Sequence, residues 1–387
     1  MNTLTSLFKN NMRQYGMIIA LILIMVLFQI LTEGILLKPL NITNLILQNS
    51  YILVLAIGMV LVIITGHIDL SVGSVAAFVG ALAAILMVDM NIPVFPAVLL
   101  SLLLGALIGA WQGFWVAYVR IPAFIVTLAG MLLFRGLTMV VLNGQSISPF
   151  PNSFQQMSSG FIPDIFGGSG IHILSVAIGV VLSALYIWYE LRSRNQKRIY
   201  QFEVMPIGLL IAKMVLLLAF INLFAYVLAS YAGIPNVLII LAVLIAAYTF
   251  ITNRTVMGRH IYALGGNEKA ARLSGVKTKR VTFWVFVNMG ALAALSGLLF
   301  AARLNAATPK AGNLFELDAI AACFIGGASA YGGVGTVTGA IIGGLVMGVM
   351  NNGMSIIGLG VDWQQAIKGL VLLLAVGFDI YNKNKSE

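Results

Sequence analysis

The sequence predicts an all-α protein, a polytopic bundle of transmembrane helices. Three observations carry that prediction. Of 387 residues, 60% are hydrophobic and only 9% are charged. A soluble domain carries about 25% charged residues, so no water-exposed surface can be made from so few. Apolar runs near the ~20 residues that cross a ~30 Å hydrocarbon core recur along the whole chain. Lys and Arg gather in the short segments between those runs, as they do in cytoplasmic loops.

Taken in order, the candidate spans are 16–37, 45–65, 70–88, 94–119, 122–142, 171–191, 205–229, 234–252, 281–301, 317–332, 334–352 and 362–381, about twelve in all. The run 16–37 follows Lys9 and Arg13 without a clear small-residue cleavage site, and reads as a retained span. The segment 317–332 is short and ends on Gly332-Gly333, which suits a broken or re-entrant helix. Irregular backbone at that depth survives only where protein or a water-filled cavity satisfies it. The whole chain, 1–387, reads as a single transmembrane domain.

Orientation follows from the cations. With both termini cytoplasmic, the basic residues of 9–13, 120, 192–198, 254–280 and 383–385 fall inside, and only Lys38, Arg303 and Lys310 fall outside. Net charge is +10, and its confinement to loops argues for a membrane rather than a nucleic-acid partner. Arg135 lies deep in a span, at a cost of about 3 kcal/mol on insertion scales. Lys213 and Lys368 lie near span ends, where they can snorkel.

Two loops stand out. Residues 143–170 form the longest outer loop, rich in Ser, Gly, Pro and aromatics, a composition suited to a docking surface or cap. Residues 253–280 form the longest inner loop, and its punctuation predicts a helix of about two turns. Gly265-Gly266 breaks the chain, Asn267 caps, Glu268 suits a helix N-terminus, and Gly275 ends the turn.

No catalytic constellation is present. The dipeptide Gly-Lys does not occur, so there is no P-loop. His67, His172 and His260 fall on different segments, and Cys323 is the only cysteine, so neither a metal site nor a disulfide is expected. No cofactor is expected either. Gly105, Gly109 and Gly113 recur every four residues, as do Gly335, Gly339 and Gly343, and on a helix each set would form one ridge for close packing.

The segment TGHIDLSVGSV (65–75) places Asp69 between two apolar runs. Intramembrane ionisable groups default to functional candidates, while Asp69 or Ser71 could equally cap the helix that begins there. Both hold at a broken helix end facing a cavity. His67, Asp69, Ser71, Trp111, Asn288 and Asn351 are therefore the candidates for a translocation path. Aromatic faces beside amides suit the apolar faces and hydroxyls of a sugar, although aromatics also form interface belts.

At TGHIDLSVGSV, NEKAARLSGV (267–276) and IGGASAYGGVGTVTGAIIGG (325–344), with RIPAFIVTLAGM (120–131), the chain resembles the permease subunit of bacterial monosaccharide ABC importers. The resemblance covers nearly the whole length. Residues 192–235 look like an addition relative to ribose-type chains, as in the xylose or multiple-sugar branch. It implies import of a monosaccharide through the cell membrane and three partners: a cytoplasmic ATPase with two fused nucleotide-binding domains, an extracytoplasmic sugar-binding protein and a second permease copy. It also implies that 253–280 is the coupling loop, with Asn267, Glu268, Ala271, Arg272, Leu273 and Gly275 meeting the ATPase. Ala271 and Gly275 would form a small-residue seat. Relatives carrying nucleosides or autoinducer sugars leave the solute open. An ion-coupled transporter would need titratable groups in the membrane, for which Asp69 and Arg135 are thin material.

Overall fold

The computed structural model describes residues 12–168, 170–202, 204 and 206–384, so Lys9 and Lys385 lie outside the described residues. These residues form fifteen helices in chain order. They are α1 Met12–Leu31, α2 Pro39–Ile64, α3 Val72–Ala84, α4 Val94–Phe114, α5 Ala123–Val141, α6 Asn152–Ser159, α7 Ile173–Ile199 and α8 Ile207–Ala229. There follow α9 Asn236–Arg254, α10 Val256–Gly266, α11 Glu268–Leu273, α12 Thr278–Leu304, α13 Phe315–Ile325, α14 Val337–Ile356 and α15 Val361–Asn384.

Among the described residues nine helices are long and apolar enough to cross a membrane: α2, α3, α4, α5, α7, α8, α9, α12 and α14. The chain is a multi-pass membrane protein. Three of the twelve expected spans fall outside that criterion. The apolar part of α1 is short, at Gly16–Leu31. α15 opens with the polar stretch Asp362-Trp363-Gln364-Gln365. α13 has only 11 residues, about 16 Å of helix and half a hydrocarbon core. It ends at Ile325 because glycines follow, with Gly327 at φ +79° and Gly332 at φ +80°, where a side chain would be strained.

Proline sets several starts. Pro93, Pro122 and Pro206 immediately precede α4, α5 and α8, where a missing N–H costs nothing. Two helices end in a π turn, α3 at Ile85–Asp89 and α4 at Trp115–Val119, and Arg120 then turns the chain at φ +67°.

Packing divides the chain into two compact units. The larger holds the described residues to 36, 45–159 and from 237 onward. Its centre is α12, against which α3 and α4 lie. Glycine makes that approach possible: a Cβ at Gly105 or Gly109 would overlap the carbonyl oxygens of Gly290 or Phe286, and one at Gly113 would reach 3.0 Å from Phe283 O. The second ridge reads differently. Gly339 and Gly343 lie backbone to backbone against Gly326 and Ala322. Gly335 lies off this ridge, because Thr336 caps α14 by accepting from Gly339 N–H (3.0 Å) and the helix begins only at Val337. Lys368 does not snorkel; it pairs with Asp318 at 3.0 Å and ties α15 to α13.

The first part of the 143–170 loop folds against the bundle. Ile147 and Ala307 exchange backbone hydrogen bonds at 3.0 Å, and Phe150 N–H donates to Asn305 Oδ1 at 2.8 Å. Phe150 and Phe154 are buried against Leu298, Ala301 and Ala302 of α12. That segment is a pinned cap.

The smaller unit is 37–44 and 160–236, longer than the 192–235 addition read from the sequence. Here α7 and α8 pack together, Asn222 Nδ2 donates to Ser183 Oγ at 2.8 Å, and Lys213 pairs with Glu190 at 3.0 Å. His172 caps α7. Its Nδ1 accepts from Ser175 N–H, so Nε2 carries the proton and donates to Ile162 O at 2.9 Å. Asp164 gathers backbone donors from Ile173 (2.8 Å), Phe166 (3.1 Å) and Leu174 (3.3 Å). Slight desolvation raises its carboxyl, but these donors outweigh that and hold it below the usual carboxylate range.

Candidate functional site

Between α2 and α3 the chain makes the turn 65–71 inside the bundle. Asp69 is 2% exposed and Ser71 1%. Asp69 Oδ1 accepts from both Ser71 N–H (2.8 Å) and Ser71 Oγ–H (2.6 Å). Ser71 Oγ in turn accepts from Gln112 Nε2 of α4 at 2.8 Å. Neither Asp69 nor Ser71 caps α3 through its side chain in the ordinary way, because the carboxylate is spent two residues on, in the turn itself. Gln112 reaches Ser71 past Gly130 of α5, where a Cβ would come within 2.7 Å of Nε2.

One helical turn on, Arg135 meets the same assembly. Its Nη1 donates to Asn313 Oδ1 at 2.7 Å, with longer contacts of 3.4 Å to Ser74 Oγ and Gly312 O. Among the described residues no ion pair joins Arg135 to Asp69. Glu316 is 5% exposed, and its Oε2 lies against Gly73 without a hydrogen-bond partner. Along one side runs a row of rings: Phe78 and Phe134 at 5.6 Å, Phe134 and Trp111 at 6.1 Å.

The structure brings together Asp69, Ser71 and the neighbourhood of Trp111. His67 lies in the same turn with its ring 6.0 Å from Phe286. Asn288 and Asn351 belong elsewhere. Asn288 Oδ1 accepts from Tyr248 of α9 and leaves Nδ2 unpartnered; Asn351 Oδ1 is unpartnered on α14. Gln112, Asn313 and Glu316 complete the cluster. Only Gln112 carried a signal, an amide next to Trp111 within a span.

The second site is the 255–277 arm. It holds two helices where the sequence predicted one. Thr255 caps α10 by accepting from Gly258 N–H (3.2 Å), and Asn267 caps α11 by accepting from Ala270 N–H (3.0 Å). Glu268 in the first turn and Arg272 in the last complement the helix dipole. Ala271 is buried, and Leu273 is 88% exposed. Nothing in the chain itself lies within 4 Å of a Cβ added at Gly275, and its φ of +89° ends the helix. α10 is locked by backbone contact. A Cβ on Gly265 would overlap Ile64 O, the oxygen that accepts from Gly333 N–H at 2.8 Å, and Tyr262 Oη–H donates to Gly335 O at 2.7 Å. The arm thus touches both the end of α2, which leads into the Asp69 turn, and the glycine turn between α13 and α14.

Residues 41–194 and 197–376 match the family described as branched-chain amino acid transport system / permease component. This chain belongs to that permease family. The xylose transport system permease protein XylH of Haemophilus influenzae is 42% identical to this permease over 375 residues, covering 97% of this chain and 98% of the relative. XylH of Escherichia coli K12 is 39% identical over 376 residues, 97% and 94% of the two chains. The ribose import permease protein RbsC of Escherichia coli K12 is 35% identical over 339 residues, 88% and 85%. No solved structure matches this permease. The permease is therefore a multi-pass inner-membrane transport subunit of a sugar ABC importer.

Proposed function

We propose that this permease carries xylose, delivered by an extracytoplasmic binding protein and driven by a separate cytoplasmic ATPase with two fused nucleotide-binding domains. Near-full-length identity of 39–42% to permeases of xylose transport systems carries the reading. The chain works with a second copy of itself, its termini and the 255–277 arm on the cytoplasmic side. The polar cluster of Asp69, Ser71, Gln112 and Arg135 lies on the solute path. Nucleotide-driven closure of the ATPase pushes α11, and the shift reaches Ile64 and Gly333 through Gly265. Backbone contact transmits it because no flexible side chain intervenes.

The test is uptake by the permease reconstituted with its ATPase and binding protein. Labelled xylose is expected to accumulate only with internal ATP. In a panel of unlabelled monosaccharides, xylose is expected to compete at least tenfold better than ribose or galactose. Better competition by another sugar would reassign the solute, and uptake driven by a proton gradient without ATP would refute the class.

A further inference from the structure

Helix α7 is 27 residues long, about 40 Å, roughly 10 Å more than a hydrocarbon core requires. Its exposed side chains change chemistry along its length. Leu182 and Leu185 come first, then Trp188 and Tyr189, and then Arg192, Lys197 and Arg198 with the half-buried Arg194. Aliphatic, aromatic and cation is the order met on leaving a bilayer leaflet, through acyl chains, interface and phosphates. The helix dipole accounts for Lys197 and Arg198 in the last turn, but its reach does not extend to Arg192 and Arg194.

We propose that the end of α7 with the turn after it is a binding site for the phosphate of an anionic phospholipid. The cations are available for it. Glu190 is taken by Lys213 at 3.0 Å, and among the described residues no carboxylate pairs with Arg192, Arg194, Lys197 or Arg198. Arg192 lies over the Trp188 ring, 5.2 Å from its centroid, which holds a planar fork of donors at interface depth. Arg194, Lys197 and Arg198 stand three and four residues apart, on one helix face.

The turn beyond supplies an independent observation. Ile199 is 74% exposed, Tyr200 72% and Phe202 67%. A loop solvated by water does not present three large apolar side chains within four residues, whereas one lying on headgroups buries them. The other basic segment, 255–277, is built differently. Its Ile261, Leu264 and Ala271 are buried, and Leu273 is the one large apolar side chain exposed on α11. A cationic face with no carboxylate partner among the described residues, beside aromatic side chains, fits a charged lipid surface.

The experiment uses the intact permease in phosphatidylcholine vesicles with trace spin-labelled phosphatidylglycerol or spin-labelled phosphatidylcholine. The protein-restricted fraction of each lipid is read by electron paramagnetic resonance. The wild type is expected to prefer phosphatidylglycerol about threefold or more, and less as salt rises. R192Q/R194Q/K197Q/R198Q is expected to lose most of that preference. R194Q/R198Q, a milder change that guards against failed insertion, is expected to lose about half. K277Q/K279Q, at the end of the 255–277 arm and the start of α12, is expected to keep it. An undiminished preference in R194Q/R198Q, or an equal loss in K277Q/K279Q, would overturn the proposal.

Discussion

Leu273→Asp is expected to abolish sugar-stimulated ATP hydrolysis in the assembled importer while leaving the permease folded. Leu273 is 88% exposed, so its replacement costs the isolated chain little. A leucine that projects from a capped two-turn helix has no structural reason to be apolar, and docking into a groove on the ATPase supplies one. Anchors at such interfaces cost 2 kcal/mol or more on truncation, about thirtyfold in affinity, and a desolvated carboxylate costs further. Stimulated hydrolysis should fall at least tenfold. Leu273→Met, which keeps the apolar volume, should retain at least half of the wild-type rate. Stimulation by Leu273→Asp at the wild-type level would remove α11 from the coupling path.

The second large effect is expected at Asp69. Removing its carboxylate strands the Ser71 N–H in a buried site, at about 1–3 kcal/mol, and leaves the Ser71 hydroxyl only Gln112 Oε1 at 3.1 Å as acceptor. Asp69→Ala is expected to reduce uptake tenfold or more while membrane-inserted protein stays within twofold of wild type. The remaining spans still insert on hydropathy alone. Because Asp69, Ser71 and Gln112 form one chain of hydrogen bonds, Ser71→Ala and Gln112→Ala should each impair uptake, and combining them should cost less than the sum. Strict additivity would mean that the three residues act separately. Loss of inserted protein in proportion to loss of uptake would make Asp69 structural only.

What was legible in the sequence was whatever is written locally. Spans read out because burial in lipid demands an apolar run, and α5 at Ala123–Val141 falls within one residue of the expected 122–142 at each end. Asn267 and Glu268 announced α11 because a cap and a dipole partner act within one turn. The Asp69 turn was visible as a charge between two spans. Contacts across the fold were not legible. Gln112 is 41 residues from Ser71 and Arg135 is 178 from Asn313, and nothing in the periodicity of α4 or α5 names those partners. Glu316 was hidden because an acid in the first turn of a half-helix looks like a dipole partner. Glycine spacing was ambiguous for the same reason. Gly339 and Gly343 serve helix contact, whereas Gly335 lies in the turn before the helix that Thr336 starts. Gly265 looked like a helix breaker, and its close approach to Ile64 O depends on a strand of chain two hundred residues earlier in the sequence.

The most direct measurement is crosslinking from position 273. A photoreactive amino acid placed there, in the complete importer under turnover, should form a covalent adduct with the ATPase subunit. The same group at Lys310, which falls on the opposite side of the expected topology, should form none. An adduct from 273 alone is the result expected of a permease driven through α11. Full ATP-dependent uptake with no adduct at 273 would contradict it.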